Sequence, residues 1–77
     1  MNAGVEIKLF AGLSAYTPPS ADNFPIKAGT TVRGLLEEIG IPVEKVRLIF
    51  INNVRGGLDA TLKGGDRVGI FPPIGGG

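Results

Sequence analysis

Thr31-Val32-Arg33-Gly34-Leu35-Leu36-Glu37-Glu38-Ile39-Gly40 is the stretch of this 77-residue chain that reads as a helix. Val32, Leu35, Leu36 and Ile39 fall at i, i+3, i+4 and i+7, which places them on one apolar stripe. Glu37 and Glu38 lie off that stripe. Thr31 suits the N-cap, because its hydroxyl can accept from a first-turn N–H that has no partner within the helix. Gly40 suits the position just past the end, and Pro42 prevents continuation. The spacing therefore predicts a helix of about two turns. Gly34 inside it costs about 1 kcal/mol relative to Ala.

Upstream, Val5-Glu6-Ile7-Lys8-Leu9-Phe10 alternates apolar and charged residues, the period of a half-buried strand, with Val5, Ile7 and Leu9 toward the core. Residues 11–23 hold Gly12 and Pro18-Pro19 and read as a loop. Phe24-Pro25-Ile26 reads as a short strand, and its proline suits a sheet edge. Downstream, Val46-Arg47-Leu48-Ile49-Phe50-Ile51 is the strongest strand signal. Asn52-Asn53 follows as a turn with positive φ, and Val54-Arg55 as a short strand. Lys63-Gly64-Gly65-Asp66 is a second turn. Arg67-Val68-Gly69-Ile70-Phe71 is the last strand, stopped by Pro72-Pro73. One helix must bury its stripe on one face of the sheet. The first two strands can form a hairpin, and the last strand finds its partner in the buried first. The expectation is an α+β chain of β-grasp type: a mixed four- to five-stranded sheet on one main helix. Residues 1–73 would form the domain and residues 74–77 a flexible tail.

The composition narrows the function. The chain has no Cys and no His, which excludes disulfides, thiol nucleophiles, thiolate zinc sites, iron–sulfur clusters and imidazole bases. No metal site and no bound cofactor is expected. A net charge of +1 does not favour non-specific binding to nucleic acid or to an anionic membrane. The start Met1-Asn2-Ala3-Gly4 lacks the pattern of a secretory signal, and the longest apolar run is four residues, 48–51. A cytoplasmic location is expected. Glu37 and Glu38, adjacent on a helix, do not face each other and make no acid/base pair. Gly64-Gly65-Asp66 reads as a turn rather than a phosphate cradle. Arg33, Arg47, Arg55 and Arg67 read as surface charge balanced by acids.

The remaining chemistry lies in Phe71-Pro72-Pro73-Ile74-Gly75-Gly76-Gly77. Residues 72–77 reach roughly 20 Å when extended. Three residues without side chains could thread a channel that a Cβ would block. The reactive group at the tip is the α-carboxylate of Gly77, which becomes an acyl donor once joined to AMP.

Several stretches together carry a resemblance over nearly the whole chain. They are Ile7-Lys8-Leu9-Phe10-Ala11-Gly12-Leu13, Gly29-Thr30-Thr31-Val32-Arg33-Gly34-Leu35-Leu36, and Leu62-Lys63-Gly64-Gly65-Asp66-Arg67-Val68 leading into Phe71-Pro72-Pro73-Ile74-Gly75-Gly76-Gly77. With them the chain resembles the MoaD/ThiS family of ubiquitin-like sulfur carriers. The Pro-Pro pair favours its molybdopterin synthase small-subunit branch over the thiamine branch. The resemblance implies that a ubiquitin-activating-type adenylyltransferase uses ATP to adenylate Gly77, with Gly76 beside it. A sulfur donor then converts the terminus to a thiocarboxylate. The tail delivers sulfur to the molybdopterin synthase large subunit or another sulfur-accepting enzyme. On this reading the chain is a co-substrate rather than an enzyme. A thiamine-pathway carrier, a ubiquitin-like protein modifier joined to lysines and a β-grasp binding module without carrier activity are the alternatives. Gly75 stands where such carriers often have Ala or Ser, and Tyr16-Thr17-Pro18-Pro19-Ser20 matches no family feature.

Period-two parity also suggests a docking face. Val68 and Ile70 are assigned to the helix side, leaving Gly69 and Phe71 opposite, because Asp66 and Gly69 suit exposure. Arg47, Ile49 and Ile51 share the other side of their strand from Val46, Leu48 and Phe50. Ile49, Ile51 and Phe71 are then expected to form an apolar patch on the open face. Pro72, Pro73, Ile74 and Gly75 would lead from it as partner-binding residues.

Overall fold

The computed structural model describes residues 3–73. Strands β1 (Ala3–Leu9), β2 (Phe24–Ile26), β3 (Leu48–Ile51), β4 (Val54–Gly56) and β5 (Arg67–Phe71) form one five-stranded sheet in the order β2-β1-β5-β3-β4. β5 runs parallel to β1 and antiparallel to β3. β2 is an edge strand, as its proline suggested, and pairs antiparallel with β1. One helix, α1 (Val32–Ile39), supplies Val32, Leu35 and Leu36 to the core, where they meet Val5, Ile7, Ile49, Val68 and Ile70.

The caps of α1 are those read from the sequence. Thr31 Oγ1 accepts from the Gly34 N–H at 3.1 Å. Gly40 adopts φ 93°, and its N–H donates to the Leu36 carbonyl at 2.8 Å. Two first-turn N–H groups find partners outside the helix: Val32 donates to the Ala60 carbonyl and Arg33 to that of Leu58. The connection between β4 and β5 is thereby tied to the start of the helix.

Several expectations need correction. The first strand runs Ala3–Leu9, so Phe10 lies just past its end. Residues 11–23 are not plain loop: they contain 3-10 helices at Ala11–Tyr16 and Ala21–Asn23, the first drawn down by Leu13, which is buried in the core. β3 begins at Leu48 rather than Val46, because Pro42 leads into a 3-10 turn over Val43–Lys45. Asp66 is not exposed. Its residue retains 8% of its accessible surface, because the carboxylate accepts from the Lys63 N–H at 2.8 Å and from Asn52 Nδ2 at 3.0 Å.

The largest correction concerns register. Ile49 lies opposite Ile70, and Ile51 opposite Val68. Directly opposed residues share a face, so Ile49 and Ile51 point toward α1. Ile49 is 5% exposed and belongs to the core, and Ile51 packs against it. Leu48 and Phe50 take the open face instead, opposite Phe71 and Gly69. The cause is the anchoring of Asn52. Its N–H donates to the Arg67 carbonyl at 2.8 Å, its Oδ1 accepts from the Arg67 N–H at 2.9 Å, and its Nδ2 holds Asp66. That anchor fixes the register of β3 on β5, and the register decides which of the two parity sets faces the helix.

Candidate docking face and tail root

The face of the sheet away from α1 carries an aromatic trio. Phe71 projects from the end of β5. The Phe10 ring stacks on it at 4.2 Å between centroids with the planes 2° apart. Phe50 from β3 meets the Phe71 ring edge to face at 5.7 Å and 82°. Such aromatic pairs contribute roughly 0.5–1.5 kcal/mol beyond their buried area. Leu48, half-buried, lies opposite Phe71 in register. Gly69, between the rings, adds no side chain. A depression of about 380 Å³ remains there, lined by the trio, Lys8, Asn53 and Arg67.

The rim is mostly cationic. Lys8 and Arg67 both reach Glu6, at 3.7 and 3.4 Å. Arg55 lies opposite Phe50. Arg47 and Arg55 line a neighbouring groove with Leu48 and Pro73. Arg33 is elsewhere, on α1, and pairs with Asp59 at 3.3 Å. The four arginines thus do not form one patch, but Arg47 and Arg55 do share the groove beside the tail root.

Of the residues proposed from sequence for partner binding, Phe71, Pro72 and Pro73 lie together at this rim of the sheet. Ile49 and Ile51 are withdrawn to the other face. Ile74, Gly75, Gly76 and Gly77 lie outside the described residues. Phe10, Leu48 and Phe50 are the members of the face that sequence reasoning missed. Phe10 was within reach: if Val5, Ile7 and Leu9 face the core, Phe10 shares the outer parity of Glu6 and Lys8. Among the described residues no cluster of acidic side chains could hold a metal ion, and no helix is long and apolar enough to cross a membrane.

At the end of β5 this geometry makes a fixed exit from the sheet. Phe71 is held by β3, where it lies opposite Leu48 and its carbonyl accepts from the Arg47 N–H at 2.8 Å, and by the Phe10 ring stacked on it. The two prolines then leave the sheet without donors to offer it. Comparison with known proteins gives the family. The model described as the ThiS family matches residues 7–77. The chain belongs to this family of MoaD/ThiS β-grasp sulfur carriers. A Pyrococcus furiosus protein assigned as molybdopterin converting factor, subunit 1, is 31% identical, with 94% of this chain and 99% of that chain covered and a TM-score of 0.66. The small archaeal modifier protein 1 of Methanosarcina acetivorans is 24% identical, covers 100% and 99%, and has a TM-score of 0.68. The Haloferax volcanii HVO 2177 protein is 19% identical, covers 99% and 88%, and has a TM-score of 0.76. The last two share the fold. No curated protein sequence matches the chain.

Proposed function

We propose that this sulfur carrier serves molybdopterin biosynthesis, donating sulfur from a thiocarboxylate at Gly77 to a molybdopterin synthase large subunit. The observation that carries the pathway is the 31% identity, over 94% of the chain, to the Pyrococcus furiosus protein assigned to molybdopterin conversion. The Pro72-Pro73 exit supports the same branch.

In this reading an adenylyltransferase joins the Gly77 carboxylate to the α-phosphate of ATP and releases pyrophosphate. Hydrosulfide attacks the acyl carbon, AMP leaves, and loss of a proton gives the thiocarboxylate. The sulfur then bonds to an electrophilic carbon of the acceptor, displacing an oxygen substituent, and water cleaves the acyl–sulfur bond. The acceptor keeps the sulfur and Gly77 regains its carboxylate. Phe10, Leu48, Phe50 and Phe71 hold the partner while the glycines enter its site.

The test uses the full chain with ATP, a ubiquitin-activating-type adenylyltransferase and sulfide. Intact mass should show one terminal oxygen replaced by sulfur, confined to the last peptide. The product is then offered separately to a molybdopterin synthase large subunit, to a thiazole-forming enzyme and to lysine-bearing proteins. Sulfur transfer to the first alone supports the proposal. Transfer to the second, or an isopeptide with the third, reassigns the pathway. If a chain lacking Gly77 still supports transfer, the carrier reading itself fails.

A further inference from the structure

The tail root leaves the sheet through a gap between two 3-10 segments. Ala11–Tyr16 follows β1, and Val43–Lys45 precedes β3. Because β1 and β3 are the two neighbours of β5, these segments stand on either side of the point where β5 ends. They are joined across the gap. Lys45 Nζ donates to Tyr16 Oη at 3.2 Å and lies 5.7 Å from the centre of the Tyr16 ring. Tyr16 is seated, since its ring packs on the core beside buried Leu13. Lys45 makes no ion pair among the described residues. The joined pair forms one wall of a cleft of about 290 Å³, and Pro72 and Pro73 form another. Glu44, Gly12 and Leu13 complete it.

We infer that Tyr16 and Lys45 are positioning residues for tail delivery: a crossbar that sets the direction in which Pro72-Pro73 leaves the sheet. This inference rests on the carrier reading above. The aromatic trio lies on the open face, whereas the crossbar is anchored in the core on the helix side, so docking and aiming are separate. A partner seated on the trio receives the terminus only if the stiff proline pair points at its site. An exposed bond of this kind adds little to stability. Its value is angular, because the stiff Pro72-Pro73 pair carries any change of direction at the root outward to where residue 74 begins.

The test compares Tyr16→Phe, Lys45→Met and Lys45→Arg in the full chain. Tyr16→Phe removes the accepting oxygen and keeps the ring. Lys45→Met removes the donor and keeps the stem. Lys45→Arg retains a donor. With the carrier as varied substrate in ATP-dependent thiocarboxylation, Tyr16→Phe and Lys45→Met should lower kcat on the order of tenfold. KM should stay within about twofold. Lys45→Arg should restore most of the rate. The Tyr16→Phe, Lys45→Met double variant should be no worse than either single one, because one bond is broken only once. Melting temperature should hardly move. Carbon relaxation at Pro72 and Pro73 should show greater mobility in both loss variants, a readout that needs no sulfur chemistry. A loss confined to KM, a loss that Lys45→Arg does not restore, or unchanged Pro72 and Pro73 dynamics would each overturn the inference. If the unaltered chain takes up no sulfur, the carrier reading fails and the relaxation arm alone decides the crossbar.

Discussion

The rings of Phe10 and Phe71 lie 4.2 Å apart and within 2° of parallel, one just past the end of β1 and the other at the end of β5. The parallel pairing of the two strands brings them side by side, and the Phe10 N–H donates to the Ile70 carbonyl at 3.2 Å. Phe10 remains 39% exposed, so the stack presents a flat apolar surface beside the tail root. Phe71→Ala and Phe50→Ala should each weaken partner binding by roughly 1–3 kcal/mol if they are central contacts. Titration calorimetry against the isolated partner checks this. Both variants should lose less stability than Leu35→Ala, which empties a fully buried position at a cost of about 2–5 kcal/mol.

Ile49→Asp should behave in the opposite way. The side chain lies among Ile70, Leu35 and other core residues, so the substitution buries an unpaired carboxylate. Denaturant unfolding should show a loss of several kcal/mol, or no folded protein at all. A folded Ile49→Asp that merely binds its partner less well would contradict the register described above.

Asp66 supplies a pH dependence. Hydrogen bonds from the Lys63 N–H and the Asn52 amide, helped by the Lys63 charge, hold its carboxyl below the ordinary value of 3.8 against the opposing effect of burial. A depressed carboxylate contributes stability that is fully present above the unfolded value and is lost as pH falls through the folded one. The loss should therefore begin near the ordinary carboxylate range and continue below it. Asp66→Asn should lower stability at neutral pH, by roughly 1–3 kcal/mol, and should flatten the acid limb of a stability-against-pH curve measured by urea unfolding.

Ala11 carries φ 53° immediately after Phe10, at the start of the 3-10 segment. A left-handed conformation disfavours a residue with a Cβ, and glycine relieves that at some cost in unfolded-chain entropy. Ala11→Gly should raise stability by up to about 1 kcal/mol. A fall in melting temperature would show that the Ala11 side chain contributes more than its backbone costs.

The legible parts of the fold were those written in adjacent residues. Thr31, the Val32 stripe and Gly40 specify α1 locally. Asn52 and Asn53, with φ 54° and 68°, specify the turn between β3 and β4. The strands were found by their alternation, but alternation names two faces without saying which meets the helix. That choice is made by Asn52 gripping Asp66 and Arg67, partners 14 and 15 residues away. Asp66 illustrates the same difficulty. Alone it reads as an exposed turn residue, and it is buried because an amide from another turn accompanies it. Phe71 kept its assigned face because it opposes Val68 and Ile70 within one strand, whereas Ile49 depended on a pairing that no local pattern specifies. The Tyr16–Lys45 bond spans 29 residues and left no local signal.

The position of β5 ties the integrity of the sheet to the point where the chain leaves it. The strand that bears the tail root lies between β1 and β3 and joins the two halves of the sheet. A cut within it would sever the sheet as well as release the tail. Such a cut would also part Phe71 from the rest of the sheet, and with it the Phe10 stack and the edge contact of Phe50. The aromatic face and the point where the chain leaves the sheet thus depend on one strand, and damage to that strand costs both.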